Sequence, residues 1–342
     1  MNFLPENPLT VAADEARERT MKRLHPIAIV GAFFGLLAAA APAWAADADA
    51  GSTPKDRDAV CTRCHDENDN KPILAIYQTP HGVRGDPRTP ACQSCHGVSD
   101  DHVKNPRGVS PRPQPDVVFG AKHASAPADQ SEACLACHKT GLRMHWSGSE
   151  HESRDITCSN CHQVHAPRDA VLAKVTQPEV CYACHKTQRA QMHRISTHPV
   201  LAGQMACSDC HNPHGSTGPK LLVKNSVNET CYTCHAEKRG PFLWEHGPVV
   251  DDCTNCHTPH GSTNAALLKA RVPWLCQDCH SGDHAAAINS GANLPNGNAT
   301  TINGTQPLAN QSPRTQLNAR ACLNCHVLIH GSNHPAGAKF QR

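Results

Sequence analysis

All twenty cysteines of the sequence fall into C-x-x-C pairs, and each pair is followed directly by a histidine. The pairs are Cys61 and Cys64, Cys92 and Cys95, Cys134 and Cys137, Cys158 and Cys161, and Cys181 and Cys184 in the first half. Cys207 and Cys210, Cys231 and Cys234, Cys253 and Cys256, Cys276 and Cys279, and Cys322 and Cys325 follow. The adjoining histidines are His65, His96, His138, His162, His185, His211, His235, His257, His280 and His326. Two thiols at this spacing can add across the two vinyl groups on one edge of a porphyrin. The next imidazole can then turn onto the iron, because positions i, i+3 and i+4 share one helical face. C-x-x-C-H is the attachment signature of c-type haem. Disulfides would suit an exported chain, but they give no reason for a histidine after every pair. Structural zinc sites do not ordinarily repeat one Cys-His ending, and a thioredoxin-like C-x-x-C would occur once. The motifs therefore predict ten covalently bound haem c groups, each with its motif histidine as proximal iron ligand.

The sixth iron ligand decides what such a protein does. Methionine in that place raises the potential, but only Met144, Met192 and Met205 follow residue 45, too few for ten irons. Histidines are abundant. His165, His214 and His260 stand three residues after a motif histidine, and His284 and His330 stand four after. So short a segment extends only about 10–14 Å and cannot round the porphyrin to the far face of its own haem, so it should serve a neighbour. His151, His198 and His246 lie seven to nine residues upstream of a motif, and His81 lies eleven upstream of Cys92. A tenth ligand would come from His102, His123 or His334, while His145 and His193 read as surface or supporting residues. An iron held between two histidines has no open position for a substrate, which points to electron transfer rather than catalysis at the metal.

The elements that must hold these groups are sparse. The chain has 342 residues, 4% aromatic, and a formal net charge of +2, with a mean hydropathy of −0.50. That is little apolar material for a core of this size, and too little net charge for ordinary disorder. Porphyrin faces would fill the interior instead. Ionised haem propionates would outweigh the small positive charge, so the loaded protein should be acidic, and nothing supports nucleic-acid binding. Residues 1–45 read as a signal peptide: a basic start at Met21-Lys22-Arg23, an uncharged run from Ile27 to Ala41, and a small-x-small cleavage site at Ala43-Trp44-Ala45. Residues 1–20 then read as a start-site artefact. The exported chain is 46–342. It repeats: Cys158-Ser-Asn-Cys-His-Gln-Val-His recurs as Cys207-Ser-Asp-Cys-His-Asn-Pro-His and Cys253-Thr-Asn-Cys-His-Thr-Pro-His. Each is followed by a second motif, giving two-haem modules near 158–206, 207–252 and 253–280, a stacked array expected to be elongated. Short helices are expected over the motifs, for example 131–141 and 228–238, with 97–133 and 281–321 as loops and no convincing strand alternation.

The motif order and intervals resemble the periplasmic decahaem c-type cytochromes of the MtrA/DmsE/PioA family. The most telling stretches are Cys207-Ser-Asp-Cys-His-Asn-Pro-His-Gly-Ser, Cys231-Tyr-Thr-Cys-His-Ala-Glu-Lys-Arg-Gly-Pro, Trp244-Glu-His, and the ending Cys322-Leu-Asn-Cys-His-Val-Leu-Ile-His-Gly-Ser-Asn-His-Pro. The resemblance implies a multihaem cytochrome c fold: short α-helices and extensive coil wrapped around a linear chain of ten haems, with almost no β-sheet. It also implies bis-histidine ligation. The family pattern matches His81, His102, His151, His165, His198, His214, His246, His260, His284, His330 and His334, eleven distal candidates for ten irons. His123, His145 and His193 look peculiar to this chain.

The resemblance further implies a protein of the periplasm, inserted into an outer-membrane β-barrel porin, that carries electrons between periplasm and cell exterior. Its partners would be that porin, a periplasmic or inner-membrane cytochrome, and an extracellular multihaem cytochrome. Outward flow would serve metal reduction and inward flow iron(II) oxidation. The alternatives are a soluble periplasmic multihaem reductase, which would need a haem with an open position that no variant motif marks, and a soluble electron shuttle or store.

Overall fold

The computed structural model describes residues 54–69, 71–83, 85–105, 110–120, 124–280 and 322–341. The expected signal peptide at 1–45, His123, His284 and the loop at 281–321 lie outside the described residues. The chain from Ala50 to Arg342 clusters as one compact unit.

Ten short α-helices carry the unit: α1 (Pro54–Thr62), α2 (Cys92–His96), α3 (Asp100–Lys104), α4 (Pro127–Leu135), α5 (Cys158–Cys161), α6 (Gln177–Tyr182), α7 (Lys186–Met192), α8 (Val227–Tyr232), α9 (Gly247–Asp251) and α10 (Trp274–Gln277). Single 3-10 turns alternate with them, three of them opening the motifs at Cys207–Asp209, Cys253–Asn255 and Cys322–Asn324. The described residues contain no strand, only isolated antiparallel bridges such as His211 with Leu222 and His257 with Leu268. Short helices, much coil and no strand among the described residues agree with the multihaem cytochrome c fold that the resemblance implies. No helix among the described residues is long and apolar enough to cross a membrane.

Two helix expectations need correction. The helix expected over 131–141 is Pro127–Leu135, and that over 228–238 is Val227–Tyr232 followed by a separate 3-10 turn, Ala236–Lys238. The motif histidine donates its backbone N–H to the first cysteine's carbonyl, at 2.9 Å in both cases. Beyond that bond the backbone leaves the helical region, with His235 at φ −100°, ψ 49°. The helix stops where its last side chain must swing out. Likewise 97–133 is not all loop, since it holds α3 and most of α4.

The second variable residue of several motifs has a local task. Ser94 Oγ, Asn160 Oδ1 and Asp209 Oδ2 accept the N–H of Ala91, Thr157 and Ala206, the residues just before Cys92, Cys158 and Cys207. This is the reach-back half of a capping box, which satisfies a donor at the start of a turn. The apolar core is correspondingly thin. Tyr182, Met192 and Val200 form a buried cluster with Met205 packed against it, while Leu142, Met144, Leu172 and Ile195 are exposed.

Candidate metal centres

The sites are assembled pairwise from a helix end and the turn that follows it. A buried polar side chain just upstream of each of the first four odd-numbered motifs makes the join. Asp58 Oδ1 accepts the N–H of Cys92 at 2.7 Å, and its Oδ2 accepts the Tyr77 hydroxyl at 2.8 Å. Asn228 Oδ1 accepts the N–H of Cys253 at 2.8 Å, while its amide donates to Val249 and Val250. Gln177 clamps Ser208 through both ends of its amide, and Gln130 accepts the Ser159 hydroxyl. The motif pattern did not reveal these four residues. Their signal is a polar side chain three or four residues before an odd-numbered motif.

The clamps bring thiols of successive motifs together. Cys61 and Cys92 influence each other's ionisation, as do Cys134 and Cys158, Cys181 and Cys207, Cys231 and Cys253, and Cys276 and Cys322. The partner thiol pulls that of Cys61, Cys158 and Cys207 below the ordinary range. The second cysteines influence one another in the complementary order. Cys95 interacts with Cys137, Cys161 with Cys184, Cys210 with Cys234, and Cys256 with Cys279. First-cysteine and second-cysteine couplings thus alternate along the chain from the first motif to the tenth.

Nine motif histidines face a second histidine. The pairs are His65 with His102, His138 with His81, His96 with His165, His185 with His151, His162 with His214, His235 with His198, His211 with His260, His280 with His246, and His257 with His330. Their ring centroids lie between 5.9 Å (His81 and His138) and 6.4 Å (His198 and His235). A metal–imidazole bond is about 2 Å and the bonding nitrogen lies about 1 Å from the ring centre, so imidazoles on opposite faces of one metal have centroids about 6 Å apart. The observed spacing fits an iron between each pair. Ring planes are near parallel in His65–His102 (8°) and near perpendicular in His151–His185 (80°).

Many Nδ1 atoms are tied back, which aims Nε2 at the metal, although that of His214 makes no hydrogen bond. His96, His211, His257 and His326 bond to the backbone carbonyls of Val117, Lys220, Ala266 and Lys339 at 2.7–3.0 Å. Among the second histidines, His102, His151, His165 and His198 bond to the carbonyls of Pro113, Pro213, Ile73 and Pro259, each at 2.8 Å. Pro213 and Pro259 immediately precede His214 and His260, so a linker histidine grips the turn that carries another centre's histidine. His246 faces the backbone of Ile329 before His330, though its own Nδ1 makes no close hydrogen bond. Gly215 and Gly261, directly after His214 and His260, have φ of +108° and +150°, and a Cβ there would strike the carbonyls of His145 and Gln191. Burial lowers the pKa of His96, His211, His214, His260 and His330, which favours the neutral, metal-binding imidazole.

His145 and His193 are exposed. His334 stands apart for a different reason. Its Nδ1 accepts the N–H of Ala336 at 3.1 Å, the opposite sense to the paired histidines whose Nδ1 bonds to a carbonyl or carboxylate oxygen. Met192 and Met205 belong to the apolar cluster and Met144 is exposed.

Sequence comparison agrees with this geometry. The doubled CXXCH motif model matches residues 198–240 and 246–285, and the NrfB-like cytochrome c-type model matches 92–176. The chain is 42% identical over 299 residues to multihaem cytochrome MtrA of Shewanella baltica (strain OS185), covering 86% of this chain and 84% of the relative. Paired C-x-x-C-H motifs, histidines at six-coordinate spacing and this identity together place the chain in the MtrA/DmsE/PioA family of multihaem c-type cytochromes.

Proposed function

We propose that the chain binds ten haem c groups and works as an electron conduit through the periplasm and outer membrane, seated in a β-barrel porin. The observation that carries this reading is the series of nine histidine pairs, from His65 with His102 to His257 with His330, each at the spacing that fits an iron between two imidazoles. The motif thiols would hold each porphyrin by its edge, and the histidine pairs would link the centres of successive motif pairs. Haem supplies one-electron exchange between iron(III) and iron(II), and contact between neighbours lets that electron pass along the series.

The histidines do more than ligate. His81 of the first motif pair reaches the centre of His138 in the second, and His165 of the second reaches back to His96 in the first. The same exchange recurs with His151 and His214, with His198 and His260, and with His246 and His330. Each boundary between successive motif pairs would thus be crossed by two iron bonds in opposite directions, which fixes the interval the electron crosses. His102 closes the first centre from within its own pair. Of the eleven distal candidates, His284 and His334 remain, and the hydrogen bond that His334 Nδ1 accepts from Ala336 favours His284 for the iron of His326. Each iron would then be held between two histidines, which favours electron transfer over substrate chemistry at the metal.

A periplasmic or inner-membrane cytochrome would exchange electrons at one end, and an extracellular acceptor, donor or multihaem cytochrome at the other. The test is twofold. Intact mass should report ten haems, and fractionation should recover the cytochrome with an outer-membrane barrel. A cytochrome found wholly in the soluble periplasm while that barrel is present overturns the conduit reading.

A further inference from the structure

Six motif histidines have a described Nδ1 hydrogen bond. Four face a neutral backbone carbonyl, but two face a carboxylate. His162 Nδ1 donates to Asp169 Oδ2 at 2.7 Å, and His65 Nδ1 donates to Asp69 Oδ2 at 2.9 Å. The contrast is sharpest within the repeat. After His211 and His257 the acceptor carbonyl lies nine residues on, at Lys220 and Ala266. After His162 the acceptor is seven residues on, and the longer reach of the Asp169 side chain takes the carbonyl's place. Asp169 is held there: its other oxygen accepts the N–H of Val171 at 3.3 Å, and its side chain is only 14% exposed. Asp69 is more open, at 29%.

A full negative charge on the far side of an imidazole polarises its N–H bond and makes Nε2 a stronger donor, which stabilises iron(III) over iron(II). A carbonyl dipole does so less. Partial burial preserves the effect at Asp169, whereas solvent screens more of it at Asp69. We propose that Asp169, and more weakly Asp69, are positioning residues that set the centres of His162 and His65 at lower potential than the centres whose histidines face a carbonyl. The inference rests on the haem-ligation reading above. It gives the fourth centre a lower potential than the sixth and eighth, which otherwise share its repeat.

The test is a reductive titration of the purified, fully loaded protein with dithionite, each step adding one electron to an iron(III) with no bond made or broken. Asp169→Asn keeps an acceptor of the same shape but removes the charge. About one part in ten of the absorbance change should move to higher potential. Asp169→Glu should restore the low-potential step, and Asp69→Asn should give a smaller shift. Asp129→Asn, which removes an exposed charge on α4, should leave the curve unchanged. Superposable curves for wild type and Asp169→Asn at equal haem mass overturn the proposal. So does loss of one haem from Asp169→Asn, because Asp169 would then hold the site together rather than tune it. Wild-type protein without ten haems would instead be a failure of the ligation reading, and intact mass reports that separately.

Discussion

The imidazole of His165 lies against that of His96, with ring centroids 6.2 Å apart, although His165 follows the motif histidine His162 by only three residues. Its Nδ1 bonds to the carbonyl of Ile73, ninety-two residues away. A residue that looks like part of its own motif therefore belongs to the one two places earlier. The local sequence states that His165 cannot reach the far side of its own haem, but not where it goes instead.

Replacing His165 with alanine should open one axial position while every thioether stays intact. About one haem in ten should become high-spin and bind carbon monoxide, with the haem count unchanged. Electron paramagnetic resonance and carbon monoxide difference spectra measure this. His145→Ala and His193→Ala should leave every centre low-spin, since both side chains are exposed and neither joins a histidine pair.

His334 and His284 should separate cleanly. A histidine bound to iron through Nε2 carries its proton on Nδ1 and must donate from it. His334 Nδ1 accepts from Ala336 instead. His334→Ala is therefore expected to keep all centres low-spin, and His284→Ala to produce one high-spin centre. The reverse result would exchange their assignments.

The covalent half of each site is legible because its parts are adjacent: two thiols and an imidazole within five residues impose their own helical turn. The axial half is legible only as a set of candidates, because its pairings are tertiary. Eleven candidates for ten irons stay open in the sequence, because spacing along the chain does not say which histidines meet. The clamps at Asp58, Gln130, Gln177 and Asn228 are not legible in the sequence, because a polar residue near a helix end ordinarily reads as solvated, whereas all four are buried. Helix lengths over 131–141 and 228–238 were overestimated because propensity ignores the demand that the motif histidine leave the helix to meet a metal.

Ala266 offers its carbonyl to His257 from a left-handed backbone, φ 56° and ψ 29°, and Leu267 follows at φ 59°. Lys220 and Leu221 repeat the arrangement for His211. A non-glycine residue in this region costs about 1–2 kcal/mol. Glycine relieves that strain but loses about 0.4–1 kcal/mol through the freer unfolded chain. Ala266→Gly should therefore raise holoprotein stability by about 0.5 kcal/mol, whereas the β-branched Ala266→Val should lower it by at least about 1 kcal/mol. Denaturant midpoints of the loaded protein, compared at equal haem content, check both signs.

Asn228 offers the strongest test of the clamps. Its side chain is buried and makes three hydrogen bonds, two as donor to Val249 and Val250 and one as acceptor from Cys253. Asn228→Ala strands two carbonyls and one N–H where water has poor access, and each such group costs about 1–3 kcal/mol. Relaxation and partial hydration reduce the sum, so a loss of about 2–4 kcal/mol is expected. Asn228→Asp keeps the acceptor for Cys253 but turns a second oxygen towards the two carbonyls, so it should rescue little of that loss. At Asp58 the acceptor function dominates, because both carboxylate oxygens receive protons, from Cys92 N–H and the Tyr77 hydroxyl. Asp58→Asn should therefore retain one of those bonds and lose less than Asp58→Ala. Equal losses for the conservative and truncating changes at Asp58, measured by denaturant unfolding at equal haem content, would mean that these side chains fill space and do not join the motifs.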